Sequence, residues 1–333
     1  MPILKQCVGT DCSKDELVVG YGVLTDQLNI NVKATKTFRN TQKGINQLMA
    51  WTDKLITPEC ECFFVVEATG VYHQQLVYQL YTAGYGVCVV LPNKAAHFRK
   101  TLTVRTVTDQ SDCRMLTQLG LEKQLDFWSP PHPLFAQLKQ LTRERKRLKD
   151  EVTRLKNQRH ATGVAIQTLP ATQERINQRL ALCEQHISAI ENQIRQLVNN
   201  NKEVKQRFRY VCSIQGVGLI TAVTVVSEAD GFNLVRNVRQ LVCYAGYDVV
   251  EKQSGSSVKG KPRISKQGNS YIRRALYFPA ITAVRKSQPY QRSIIGYTIV
   301  MHSYESLYRA TTEIVSINLY DVDKTRILQA KLS

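Results

Sequence analysis

Between residues 176 and 197, apolar side chains recur at intervals of 4, 3, 4, 3, 4 and 3: Ile176, Leu180, Cys183, Ile187, Ile190, Ile194 and Leu197. A heptad of this length makes one long helix with a narrow apolar stripe, and such a helix needs a partner helix. A partner stands just upstream at 134–158. There Leu138, Leu141, Leu148, Val152 and Leu155 fall near the same seam, with Arg143-Glu144-Arg145-Lys146-Arg147 coating the outside. Pro170 separates the two, so they close as an antiparallel hairpin or join a second chain as a dimerising coiled coil. A surface helix on a globular core is the plainer alternative, and the narrow stripe disfavours it. Ser129-Pro130-Pro131-His132-Pro133 is a stiff breaker ahead of the pair. Three segments follow: 1–128, a connector at 129–204, and 205–333.

The connector is rich in arginine and lysine, and so is the whole chain. Its 333 residues hold 45 Lys+Arg against 27 Asp+Glu, a formal charge of +18. That excess calls for a polyanionic partner, nucleic acid before an anionic membrane. No run approaches the roughly 18 apolar residues of a membrane span. The opening MPILKQCVGTD runs into a strand without signal-peptide layout, so a cytoplasmic location is expected. The nine cysteines form no CxxC pair and are expected to be reduced and mostly buried.

In the first segment, 6–11, 16–23 and 28–32 read as strands, 41–56 as a helix, and 62–66 as a buried strand running into Glu67. Helix 71–83, strand 86–91 and helices 94–100 and 109–121 complete a mixed α/β sheet covered by helices. Four carboxylates stand out. Asp11 closes the first strand, Glu67 closes the run CFFVVE, and Asp109 and Asp112 share the first turn of a helix. Sites in α/β sheets gather at strand ends. Four acids meeting there would repel one another unless divalent cations sat between them, as in two-metal phosphodiester sites. Singly, Asp109 also suits a helix N-cap and Asp11 a turn. Glu67 is harder to place unless it is paired or coordinated.

In the last segment, Ser213-Ile214-Gln215-Gly216-Val217-Gly218-Leu219-Ile220 resembles a helix-hairpin-helix turn, in which Gly216 and Gly218 admit a phosphate to backbone N–H groups. Helices are expected at 238–244, 271–285 and 299–317. Between the first two, Ser254-Gly255-Ser256-Ser257 forms a glycine-broken, flexible loop among Lys252, Lys259, Lys261, Arg263, Lys266, Arg273 and Arg274. Hydroxyls ringed by positive charge suit a phosphodiester, whose displacement the cations would stabilise. No histidine lies in the stretch, so activation of a serine must come from elsewhere. The bland reading is a solvated basic loop that only holds nucleic acid.

The texts Gly9-Thr10-Asp11, Glu67-Ala68-Thr69-Gly70-Val71-Tyr72 and Thr108-Asp109-Gln110-Ser111-Asp112 resemble the DEDD transposases of bacterial insertion sequences. Ser254-Gly255-Ser256-Ser257-Val258-Lys259-Gly260, Arg263-Ile264-Ser265-Lys266 and Arg273-Arg274-Ala275-Leu276-Tyr277 resemble the C-terminal transposase domain of the same family. Two positions depart from its pattern: Val107 replaces a lysine and Cys113 an alanine, neither of them a carboxylate.

The resemblance implies an α/β RNase H-like (RuvC-like) N-terminal domain, a helical coiled-coil connector and a mainly α C-terminal domain. It implies an RNA-guided DNA recombinase of bacteria, nucleoid-associated, with the element's non-coding bridge RNA and donor and target duplexes as partners, and homodimers pairing into a tetramer. Asp11, Glu67, Asp109 and Asp112 would hold Mg²⁺, with Mn²⁺ as a substitute. Ser254 would attack the phosphodiester and form a covalent phosphoserine, with Ser256 and Ser257 in support. Gly216, Gly218, Lys259, Arg263, Lys266, Arg273 and Arg274 would contact nucleic acid. The rival readings are a RuvC-like junction-resolving endonuclease, whose metal-activated water attacks, and a non-catalytic nucleic-acid-binding protein.

Overall fold

The computed structural model describes residues 2–58, 60–102, 108–213, 216–235, 237–251, 253–254, 258–260 and 263–286. The helix expected at 299–317 lies outside these residues, as do Val107, Lys252, Ser256, Ser257 and Lys261. The chain divides into two compact units, residues 1–130 and 131 onward.

Unit 1 is built on a five-stranded sheet. Strands β1 (Ile3–Cys12), β2 (Glu16–Thr25) and β3 (Ile30–Arg39) form an antiparallel meander. Strands β4 (Cys62–Glu67) and β5 (Gly86–Val90) run parallel to β1, giving the order β3-β2-β1-β4-β5. Alternation along β1 divides the core between two faces. Val8 packs with Leu17, Val19, Ile45 and Leu80, beneath helices α1 (Gln42–Asp53) and α2 (Gln74–Thr82). Cys7 packs on the other face with Val65, Cys88, Phe98 and Leu116, beneath α3 (Pro92–Arg99) and α4 (Asp109–Glu122).

Helix α4 lies unusually close to the sheet. A Cβ on Gly9 would stand 2.2 Å from the Thr117 nitrogen and 2.5 Å from the Cys113 carbonyl oxygen. At Gly20 it would stand 2.9 Å from the Thr117 hydroxyl. Into this gap the buried Thr117 Oγ1 accepts from the Gly9 N–H at 3.2 Å and lies 2.8 Å from both the Gly20 and Cys113 carbonyls. A polar side chain therefore satisfies backbone groups where the helix meets the strands. Cys113, the departure from the family's alanine, is fully buried at this seam.

Unit 2 begins with two long helices, α5 (Pro133–Val164) and α6 (Pro170–Asn200). They form an antiparallel hairpin. Val152 and Leu155 share a cluster with Ile176, Leu180, Cys183 and Ile187, while Phe135 and Leu138 meet Ile190, Ile194 and Val198 at the other end. Pro170 starts α6 instead of merely interrupting, because the first helical position tolerates its missing N–H. Val198 replaces Leu197 as the last buried position, since a straight helix drifts from a strict heptad. The charged run of α5 is not all outside: Arg145 pairs with Glu191 at 2.7 Å and Arg143 reaches a buried acid.

The hairpin base shares one core with α7 (Lys202–Cys212), α8 (Leu219–Glu228), α9 (Val238–Ala245) and α10 (Ser270–Lys286). Two small antiparallel ribbons join α9 to α10. Strand β6 (Val249–Val250) pairs with β9 (Arg263–Ile264), and β7 (Gln253–Ser254) with β8 (Val258–Lys259). All nine cysteines are free; five are buried and Cys243 is exposed. Among the described residues no helix is long and apolar enough to cross a membrane.

Gly9→Ala is expected to cost about 3 kcal/mol by overpacking against the α4 backbone. Thermal unfolding of the variant tests this; a wild-type Tm would show that α4 can lift from the sheet at little cost.

Candidate active site: a carboxylate cluster and a serine ribbon

Parallel pairing of β1 with β4 sets Thr10 beside Val66, so Asp11 and Glu67 follow at the same end of adjacent strands. Helix α4 starts at that end. Thr108, not Asp109, is its N-cap: Thr108 accepts from the Ser111 N–H, and the Ser111 hydroxyl accepts from the Thr108 N–H, a reciprocal box. Asp109 and Asp112 are thereby freed to occupy the first turn, where the helix dipole favours negative charge. Asp11 lies inside β1 and forms no turn.

The acids feel one another. Burial, then the charges of Asp112, Glu67 and Asp109, push the Asp11 carboxyl up to about 6, against a weaker opposing bond from the Cys12 N–H. Burial, Asp11 and Glu67 likewise push the Cys12 thiol up to about 12. Glu67 Oε1 accepts from the Thr69 hydroxyl at 3.1 Å, and Asp112 pairs with Arg99 of α3 at 2.8 Å. Among the described residues no three such side chains are drawn close enough to hold an ion as they stand. The donor set nevertheless fits a hard divalent cation: four carboxylates, mutual repulsion centred on Asp11, and one acid held by a displaceable arginine.

In unit 2, Ser254 is in a strand, with its backbone opposite Val258, and not on a flexible loop. Backbone pairing of Gln253-Ser254 with Val258-Lys259 makes a short ribbon there, which the glycine-rich text does not announce. Arg263, in β9, and Lys266 are exposed; Lys266 sits at φ 56° with its N–H on the Gly246 carbonyl at 3.0 Å. Arg274 lies 3.6 Å from Asp150 of the hairpin. Arg273 turns inward and donates to the Ala245 carbonyl at 2.6 Å. Gly216, at φ 84°, faces α10: a Cβ there would stand 3.0 Å from Thr282 Cβ. Gly218 is the N-cap of α8, with open space around it.

Reading of the sequence missed Glu228. It closes the apolar helix α8 and is wholly buried. Arg143 of α5 donates to it twice, at 2.6 and 2.9 Å, and Asn269 donates at 2.7 Å. Burial alone would raise the Glu228 carboxyl, but the bonds from Arg143 and Asn269 and the charge of Lys139 bring it below its ordinary value. Asn269 also accepts from the Tyr271 and Ile272 N–H groups and so starts α10. Arg143 further stacks on Tyr271, 4.6 Å from the ring centroid. Glu228 thus joins the hairpin to the helix that follows the serine ribbons. An acid ending the run VTVVSE was a signal of the same kind as Glu67 ending CFFVVE.

A family profile described as a transposase matches residues 8–162, and one described as the transposase IS116/IS110/IS902 family matches 209–295. The chain belongs to the DEDD transposases. As such it is a DNA transposase/recombinase, and the family's chemistry uses divalent metal. Two relatives are each named pilin gene-inverting protein. The one from Moraxella bovis is 26% identical over 246 residues, covering 74% of either chain. The one from Moraxella lacunata is 25% identical over 248 residues, again 74% of either. A solved Ppx/GppA family structure from Aquifex aeolicus overlaps 28% of this transposase and 37% of that chain, at 10% identity and a TM-score of 0.22, too low to carry an argument.

Two outcomes are expected. In metal-free protein, charging Asp11 is penalised once pH exceeds its unfolded value near 4, and fully so above its folded value of about 6. Asp11→Asn should therefore stabilise by about 1 kcal/mol at pH 8, after allowance for solvent screening, and by nothing near pH 3.5. Melts at the two pH values decide it, and an equal effect at both would deny the repulsion. Separately, Arg143→Met should cost about 2–3 kcal/mol by stranding the buried Glu228 charge, and adding Glu228→Gln should recover part of that. Additive losses in the double variant would contradict the pairing.

Proposed function

We propose that this transposase cuts and rejoins donor and target DNA through a phosphoserine at Ser254, with the carboxylates Asp11, Glu67, Asp109 and Asp112 holding Mg²⁺. The convergence of those four acids on one end of the sheet, felt as the raised Asp11 carboxyl, is the observation that carries the reading. The strand order β3-β2-β1-β4-β5 supports assigning unit 1 to the RNase H-like folds. Bound Mg²⁺ would polarise the scissile phosphate and lower the pKa of an attacking hydroxyl. The protein's own groups do the rest. Thr69 orients Glu67, the Thr108 box aims Asp109 and Asp112, and Arg99 holds the Asp112 carboxylate in place. In unit 2 the ribbon fixes the Ser254 backbone, and Lys259, Arg263, Lys266 and Arg274 supply charge for a phosphate. Sequence choice falls to an element-encoded RNA paired with both duplexes, which suits a chain of charge +18 with contacts directed to phosphate. The protein works as homodimers that pair into a tetramer, joined through the hairpins.

A metal-dependent nuclease is the second reading. One observation favours it: all four carboxylates lie in unit 1 and could serve an attacking water without Ser254.

Incubation with labelled donor and target duplexes, guide RNA and Mg²⁺, followed by denaturing gels, separates the two. A protein–DNA adduct in the parent, lost in both Ser254→Ala and Asp109→Asn, is expected. Continued cutting by Ser254→Ala, with loss only in Asp109→Asn, would remove the serine from the chemistry.

A further inference from the structure

A groove of about 720 Å³ opens in unit 1 between the edge strand β3 and helix α1, away from the carboxylates in sequence. Its lining includes four cations, Lys36, Arg39, Lys43 and Lys54, and no acid. All four are exposed, and among the described residues no salt bridge reaches any of them. The wall is aromatic. Phe38 and Trp51 meet edge-on with ring centroids 5.7 Å apart, and Lys36 Nζ lies 5.3 Å from the Phe38 centroid. The groove is also held in shape. Thr41 caps α1 by accepting from the Gly44 N–H at 3.2 Å, and a Cβ on Gly44 would fall 2.0 Å from the Arg39 carbonyl. The N-terminus of α1 therefore adds its dipole to the cations, and its first turn carries no acid to cancel it.

We propose that this groove seats a single strand of DNA, its phosphates on Lys36, Arg39, Lys43 and Lys54 and a base against Trp51. A concave track of cations with an aromatic wall is the construction that follows a single strand, whereas a duplex presents a broad convex face. The occupant is taken as DNA because the protein is a DNA recombinase, whose strand exchange exposes single strands; to that extent the proposal rests on the functional reading. Lysines also guard edge strands against mispairing. That role explains Lys36 but not Lys43, in helix α1, or Lys54, at its C-cap, which line the same groove.

The test is binding without chemistry, in EDTA, so that its failure is distinct from failure of the cleavage assay. The chain has two tryptophans. Trp128 packs edge-on against Tyr78 and Tyr81. In full-length Trp128→Phe protein, Trp51 is the single tryptophan fluorophore. An oligothymidine strand of about twelve nucleotides should quench it. Lys36→Ala/Arg39→Ala/Lys43→Ala in that background should weaken binding at least about tenfold and flatten the dependence of log affinity on log salt by about 2, near 0.7 per lost phosphate contact. Duplex DNA should be affected far less. Absence of quenching, an unchanged salt slope, an equal loss for duplex, or tighter binding of oligouridine than of oligothymidine would overturn the proposal. So would aggregation of the triple variant with affinity unchanged, which edge guarding predicts.

Discussion

A single hydroxyl, that of Thr117, sits where helix α4 touches the sheet, and the carboxylate cluster depends on it. The two faces of a sheet are ordinarily separated from their helices by a layer of side chains. Here Gly9 and Gly20 remove that layer, and Thr117 fills the gap with hydrogen bonds to backbone groups of both strands. The first turn of α4 is thereby carried close to the ends of β1 and β4. Four acids so placed are costly to each other, which is the condition a divalent cation relieves. Stability is given up at this end of the sheet and recovered in the packing beneath it.

Much of unit 1 was legible because each strand is bounded by glycine, proline or charge and helices α1 and α2 keep a one-sided stripe. Strand β3 runs to Arg39 instead of ending near Val32, because its partner β2 continues to pair with it. Helix α2 starts at Gln74, since residues 68–73 are spent on turns around Glu67. The acids could be named from their positions at element ends. Arg99, which holds Asp112, could not, because its helix fixes its direction only once α3 is packed beside α4.

Unit 2 was legible only in part. The hairpin announces itself by period. Helix α8 does not: its text, LITAVTVVSE, is apolar on every side and rich in β-branched residues, and taken alone suits a strand. Burial among α5, α7 and α10 overrides that propensity. The serine stretch misled in the opposite direction. Its glycines and lysines suggest a loop, while its backbone pairs into ribbons whose strands, two residues each, are too short to show alternation. Glu228 was passed over because its partners, Arg143 and Asn269, lie 85 and 41 residues away.

The hairpin is also a mechanical part. From Arg143 to Val164, helix α5 extends about 30 Å beyond its anchorage. At the far end Val164, Ile166 and Leu169 are 72%, 103% and 72% exposed, an apolar tip with no cover among the described residues. Near the base, Arg143 grips Glu228, and Glu228 grips Asn269 at the start of α10. A force applied to the tip therefore acts with leverage on a buried ion pair, and through it on the segment that follows the serine ribbons. A loose linker would absorb such a load; this one transmits torque.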